Sequence, residues 1–376
     1  MIITGLPPLR PEITSVRHPH GPGIFCVLTS ARSFARFQKE VFVTGVVVLY
    51  AAATIIVGGM ALLAQRARKS RGADVTLLVT ILALSFLVAA LGVLTAIGLL
   101  LRAAGISGAE QLTLALAGVA SLIVGIVGLG LCIPSLRRIL GWRLENGWWA
   151  DPPVFLALWL FAVVLANNMV SLLIFTQVPN VTEFFPTGRL SPGMIFLSQM
   201  PFLIVAVLGV GIGIRRNLRQ ILVRLGYGPI SVRQLGVVGL FVVGALVLSL
   251  LSDALFAYLQ PDLYRTVGDL SSSLFDARGL SLGSAILFAL LLGLGAGLGE
   301  ETLFRGALQP ALGILPASLL FASMHIQYGP SVLLGYIFLL AIGLGLLRRH
   351  INTTASFLAH ATFNALGVML AYFFGM

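Results

Sequence analysis

The chain has 376 residues, of which 58% are hydrophobic and only 10% charged, with a mean hydropathy of +1.01. Soluble domains carry roughly 25% charged residues, so the composition excludes an ordinary water-soluble globular protein and predicts an integral membrane protein. The formal net charge of +11 does not point to nucleic acid, because the basic residues fall in short clusters between apolar runs, a pattern that sets membrane topology.

Residues 1–40 are rich in Pro and Arg, lack the apolar core of a secretory signal, and read as a basic, mobile tail. After them, apolar runs long enough to cross a bilayer predict about ten transmembrane helices in an all-α polytopic bundle. These are 42–64, 75–101, 111–134, 152–176, 193–214, 234–259, 281–299, 315–328, 331–347 and 351–374. The eighth is short for a span, carries a histidine, and reads as tilted or partly re-entrant. Residues 41–192 form an N-terminal group of helices without recognised function, and residues 193–376 carry nearly all the unusual polar residues. The two cysteines, Cys26 and Cys132, are far apart and fit neither a disulfide framework nor a metal site.

Basic clusters follow the first, third, fifth and ninth runs: Arg66, Arg68, Lys69 and Arg71; Arg137, Arg138 and Arg143; Arg215, Arg216, Arg219 and Arg224; Arg348 and Arg349. The intervening loops are poor in Lys and Arg or balanced by acids. Positive residues mark the cytoplasmic side, so ten helices with both termini outside satisfy every loop. The basic residues of the N-terminal tail conflict with that arrangement.

Ionisable residues inside membrane helices are costly and are read as functional by default. Here they are Glu300 and Glu301 in GLGEETLFRG, with Arg305 one turn on; His325 in FASMH; His360 in HATFN; and Asp253. No acid follows Glu301. Glu301 and Arg305 are four apart and form a charge pair on one helical face. Glu300 lies about 100° around the helix from Glu301 and is free to face elsewhere. His360 and Asn364 are likewise four apart. Three helices thus bring a carboxylate, two imidazoles and an amide to one cavity, the set that water-mediated acyl hydrolysis needs. Gly293, Gly295, Gly297 and Gly299 form overlapping small-xxx-small ridges that serve close helix packing and leave room for water beside Glu300.

Taken singly, each of these features has a plainer reading: a structural ion pair for Glu301 and Arg305, interhelical hydrogen bonds for His325, His360 and Asn364. The ordered combination changes the balance. EExxxR (Glu300, Glu301, Arg305), FxxxH (Phe321, His325) and HxxxN (His360, Asn364), in this order on successive apolar segments, resemble the CPBP family. These are intramembrane proteases that include the type II CAAX prenyl endopeptidases and bacteriocin-processing relatives. The resemblance covers roughly residues 193–376, and the earlier helices extend beyond the family's usual core.

The resemblance implies that Glu300 and His325 activate a water, that His360 and Asn364 supply an oxyanion hole, and that Glu301 and Arg305 support them. It implies an intramembrane endopeptidase whose partners are the lipid bilayer and a peptide or membrane-protein substrate, in a multi-pass cell-membrane protein of bacterial character. Nothing in the sequence argues for a prenyl-binding site. Such proteins have been labelled metalloproteases, and Glu300, His325 and His360 would be the candidate zinc ligands. The cofactor-free route is favoured, because a carboxylate–imidazole pair suffices to activate water and Asn is a poor zinc ligand.

Other intramembrane protease chemistries fit less well. No HExxH is present, no GxSG is present, and Asp253 lacks a second membrane aspartate. Two further classes remain as alternatives: a proton- or cation-coupled transporter using the buried Glu and His, and a catalytically silent immunity or scaffold protein of the same fold.

Overall fold

In the computed structural model the described residues are 48, 50–101, 108–133, 135–136, 151–177 and 188–375. The tail at 1–40, Cys26 and the basic residues Arg137, Arg138 and Arg143 lie outside them. Every named regular element is helical. In chain order these are α1 (Tyr50–Ala67), α2 (Arg71–Leu100), α3 (Gly108–Leu131), α4 (Pro152–Gln177), α5 (Pro192–Gly209), α6 (Leu218–Arg224), α7 (Val232–Leu259), α8 (Pro261–Phe275) and α9 (Leu282–Glu301). A π-helical segment (Thr302–Leu308), α10 (Gln309–Leu312), α11 (Ile314–Ser323), a 3₁₀ turn (Ile326–Tyr328), α12 (Val332–His350) and α13 (Thr353–Phe374) complete the chain. Residues 53–376 pack as one unit; of residues 1–52, only 48 and 50–52 are described.

Nine helices among the described residues are long and apolar enough to cross a membrane. The protein is an all-α polytopic membrane bundle. The difference from ten lies in the eighth predicted span. Helix α11 has ten residues and stops at Ser323, about 15 Å at 1.5 Å per residue, half the thickness of a bilayer core. The seventh span is longer than its hydropathy suggests, since the apolar helix runs on through the π segment to Leu312. Two short helices were not anticipated. One is α6, closed by an Asn217–Gln220 capping box. The other is α8, whose buried Val267, Leu270 and Leu274 form one stripe among polar residues.

The spanning helices turn apolar side chains outward as well as inward. On α7, Leu240, Val243, Leu250 and Leu251 are exposed while Val238, Val242 and Ala245 are buried. Apolar character all round a helix is what a lipid solvent selects. Polar caps mark the helix ends: Ser231 for α7, Ser281 for α9 and Asn352 for α13 each accept a backbone N–H of the first turn.

Helices α2 and α3 form a hairpin, α3 packs on α4, and α4 packs on α10 and α11. The second group centres on α9, held between α13 and α5. The glycine ridge explains that position. Gly297 is so close to α13 that an added Cβ would lie 3.1 Å from Ala361 Cβ, and Gly293 faces the Ala361 carbonyl. Gly295 and Gly299 face Ile195 and Gln199 of α5. Alternate glycines therefore serve two different neighbours, and helix packing accounts for all four. Gly293→Leu is expected to force α9 off α13 and destabilise the protein by about 1–3 kcal/mol, the usual cost of overpacking. A thermal midpoint in detergent equal to that of the wild type would contradict this.

Candidate active site

The candidate residues come from three places, each with a local reason for its geometry. Glu300 and Glu301 close α9, and their side chains part as the helical phase requires. Glu301 is wholly buried, whereas Glu300 is partly exposed and lines a cavity of about 560 Å³. His325 lies beyond the end of α11, not within a helix as its apolar surroundings predicted. The α-helix ends at Ser323, His325 takes φ −91° and ψ 49°, and the 3₁₀ turn begins at Ile326. His360 and Asn364 are one turn apart on α13 and both line the same cavity. The structure thus brings Glu300, His325, His360 and Asn364 to one space.

Glu301 and Arg305 are both fully buried, with Arg305 Nε donating to Glu301 Oε2 at 3.2 Å. The other carboxylate oxygen, Oε1, accepts from His360 Nδ1 at 3.0 Å. Glu301 therefore bridges Arg305 and His360. Its nearest task is to fix the His360 ring, and with Nδ1 engaged, Nε2 is the atom left for the cavity. That ring nitrogen donates to an oxyanion only when the imidazole carries both protons.

His325 is fixed in a parallel way. Its Nδ1 donates to the Phe321 carbonyl oxygen at 3.0 Å, which leaves Nε2 with its lone pair as an acceptor. Phe321 is the keystone of the aromatic packing. Its ring lies 5.0 Å from His325, 5.8 Å from His360 and 5.2 Å from Phe304, and the Arg305 guanidinium carbon sits 5.2 Å from its centroid. The two remaining guanidinium nitrogens of Arg305 are buried with no hydrogen-bond partner among the described residues. The ring face and the Glu301 carboxylate are what balance this charge.

Two residues of the cavity escaped the sequence reading. Tyr328 stacks on His325, with ring centroids 6.0 Å apart and planes 7° apart, so the imidazole lies between two aromatic rings. Its three-residue spacing from His325 was the available signal, but the 3₁₀ turn that stacks the rings was not evident. Gln199 of α5 also lines the cavity, against Gly299. Glu300 Oε2 and Gln199 Oε1 are buried without a hydrogen-bond partner among the described residues. Buried carboxylate and amide oxygens are seldom left without a donor, and both line a space large enough for water.

The polar residues set aside earlier lie elsewhere. Asn168 Nδ2 donates to Ser323 Oγ at 3.1 Å between α4 and α11, and Asp253 accepts from Tyr264. Asp276 and Arg278 pair at 2.9 Å at the outer part of the cavity. Hydrogen bonds from Arg278 hold the Asp276 carboxyl below the usual carboxylate range. Among the described residues, no three His, Cys, Asp or Glu side chains gather closely enough to hold a metal ion. Glu300, His325 and His360 share the cavity without forming such a group.

Removing the Glu301 charge leaves a buried guanidinium unpaired, a change that costs about 3–5 kcal/mol when one partner of a buried pair is lost. Glu301→Gln is expected to lower the thermal midpoint strongly, and Glu301→Gln combined with Arg305→Met less so. If the double variant melts below the single one, the pair is not what holds this helix end.

None of the curated proteins and none of the solved structures matches the chain. Residues 282–366 match the family model described as Type II CAAX prenyl endopeptidase Rce1-like. That segment runs from the start of α9 into the second half of α13 and contains all six candidate residues. Through it, the chain is a member of the CPBP family.

Proposed function

We propose that the protein is an intramembrane endopeptidase that hydrolyses a peptide bond with a water activated by Glu300 and His325. The observation that carries this reading is the cavity that Glu300, His325, His360 and Asn364 line together. The family is one of proteases, which supports a hydrolase.

The water donates one hydrogen bond to Glu300 and one to His325 Nε2. Glu300 takes a proton as the water oxygen bonds to the peptide carbonyl carbon, and the carbonyl pair moves onto its oxygen. That oxyanion accepts hydrogen bonds from Asn364 Nδ2 and from the doubly protonated His360 through Nε2. Collapse re-forms the carbonyl and breaks the C–N bond, and the departing nitrogen takes the proton from Glu300. The products are a carboxylic acid and an amine, so atoms and charge balance. No metal enters these steps. Glu301 and Arg305 are positioning residues that set the His360 ring.

Leu292, Leu333, Ile337 and Leu340 give the cavity apolar walls, which suits an apolar peptide or a membrane-associated protein segment. The charge pattern of the loops puts the Glu pair towards the cytoplasmic face of a cell membrane. Residues 193–376 then form the protease core, with 41–192 an extension.

The direct test compares peptides in cells carrying wild-type and Glu300→Ala protein. Peptides or termini found only with the wild type are expected. Identical profiles, with both proteins inserted at equal levels, would rule the peptidase reading out.

A further inference from the structure

We propose that a second cavity, between the N-terminal helices and the α5–α7 connection, binds a phosphate-bearing anion, namely the headgroup of an anionic phospholipid. This cavity of about 120 Å³ is lined by Arg68, Arg216 and Arg224, with Asp151 and Gln65, and is separate from the one holding Glu300. Its guanidiniums come from segments far apart in sequence.

Charge is unbalanced there. Arg68 is taken by Asp151, which accepts from its Nε and from a terminal nitrogen. Arg216 donates to the Val210 carbonyl at 2.6 Å and Arg224 to the Gly306 carbonyl at 3.2 Å. Neither is paired with a carboxylate among the described residues. Both are partly buried, and each keeps donors unused by those bonds. Burial, and then the charges of Arg216, Arg348 and Arg68, lower the Arg224 pKa from its ordinary value. Guanidiniums gathered against their own repulsion, with free planar donors, match a phosphate ester in shape and charge.

An independent feature identifies the source as lipid. Arg216 and Arg224 flank α6, whose Ile221 is buried while Leu218, Leu222 and Val223 are 67%, 47% and 70% exposed. A short helix with apolar side chains outward and arginines at its ends belongs at the boundary between headgroups and acyl chains. By loop charge, that boundary is the cytoplasmic one, where anionic lipids accumulate.

The experiment measures the thermal midpoint of full-length protein in phosphatidylcholine vesicles with and without phosphatidylglycerol, and in neutral detergent with and without inorganic phosphate. A ligand that binds only the folded state raises the midpoint. Phosphatidylglycerol is expected to raise it by on the order of a few degrees, and Arg216→Gln with Arg224→Gln to abolish the rise. Arg219→Gln, on the same helix but outside the cavity, should leave the rise intact. A rise with inorganic phosphate but not with phosphatidylglycerol would assign the site to a free ion and overturn the lipid assignment. No rise with either, or a rise retained in the double variant, would overturn the site. If the double glutamine variant does not fold, Arg216→Lys with Arg224→Lys is measured instead. It keeps the charge and loses the planar fork, so an undiminished rise would also count against the site. All readouts are independent of peptide cleavage, so the proposal and the peptidase reading stand or fall separately.

Discussion

Glu300→Gln is expected to lower peptide-bond cleavage by about 10²–10⁴-fold, the range that a positioned proton-transfer group supplies, with the protein still inserted and folded. The substitution keeps the size of the side chain and removes its basicity. Because Glu300 is partly exposed and unpaired, whereas Glu301 is wholly buried between Arg305 and His360, the two glutamates should separate cleanly. The Glu300 variant loses rate and keeps its thermal midpoint; the Glu301 variant loses both. His325→Ala should fall as far as Glu300→Gln, and the double variant little further, since two groups that orient one water act as a unit. A transporter relay would show lost ion coupling with no cleavage in the wild type. A silent scaffold would show no change in either assay. Normal cleavage by either single variant would refute the water-activation scheme.

The second large effect concerns Asn364. Its carboxamide lines the cavity one helical turn from His360, where it would meet charge that develops only in the transition state. Asn364→Ala is therefore expected to lower kcat by about 10²–10³-fold, or about 2.7–4 kcal/mol, as loss of one oxyanion donor does in soluble hydrolases. KM should change little, because the ground-state carbonyl makes less use of the donor. An effect confined to KM would make Asn364 a substrate-binding residue and leave the oxyanion without its proposed donor. Its midpoint should stay near that of the wild type, since no hydrogen bond of Asn364 holds two helices together.

Spans in this chain were legible wherever apolar residues ran long enough to outlast a bilayer, because a lipid-facing helix needs no phase. Helix α8 was not, since Val267, Leu270 and Leu274 are only three apolar positions among serines and acids. The pairs within one helix were also readable, Glu301 with Arg305 and His360 with Asn364, because four residues nearly complete a turn. The bond between Glu301 and His360 was not, because it joins positions 59 apart and depends on how closely α9 approaches α13. That approach was written in the glycines, but their alternation between two partners shows only once both neighbours are placed. The break before His325 left no trace in hydropathy, and the π segment left none in TLFRGAL.

That π segment has a consequence for how the helix tolerates change in length. Two arginines from separate turns grip it from outside: Arg348 donates to the Arg305 carbonyl and Arg224 to the Gly306 carbonyl. A π turn is equivalent to an α-helix with a residue inserted. Deleting one residue between Thr302 and Leu308 would restore ordinary winding and swing all that follows by about 100°. Neither clamp would then meet its carbonyl. The chain should accept many substitutions on this stretch more readily than the loss of a single position, and the two clamps act as a fixed scale against which the phase of the helix is set.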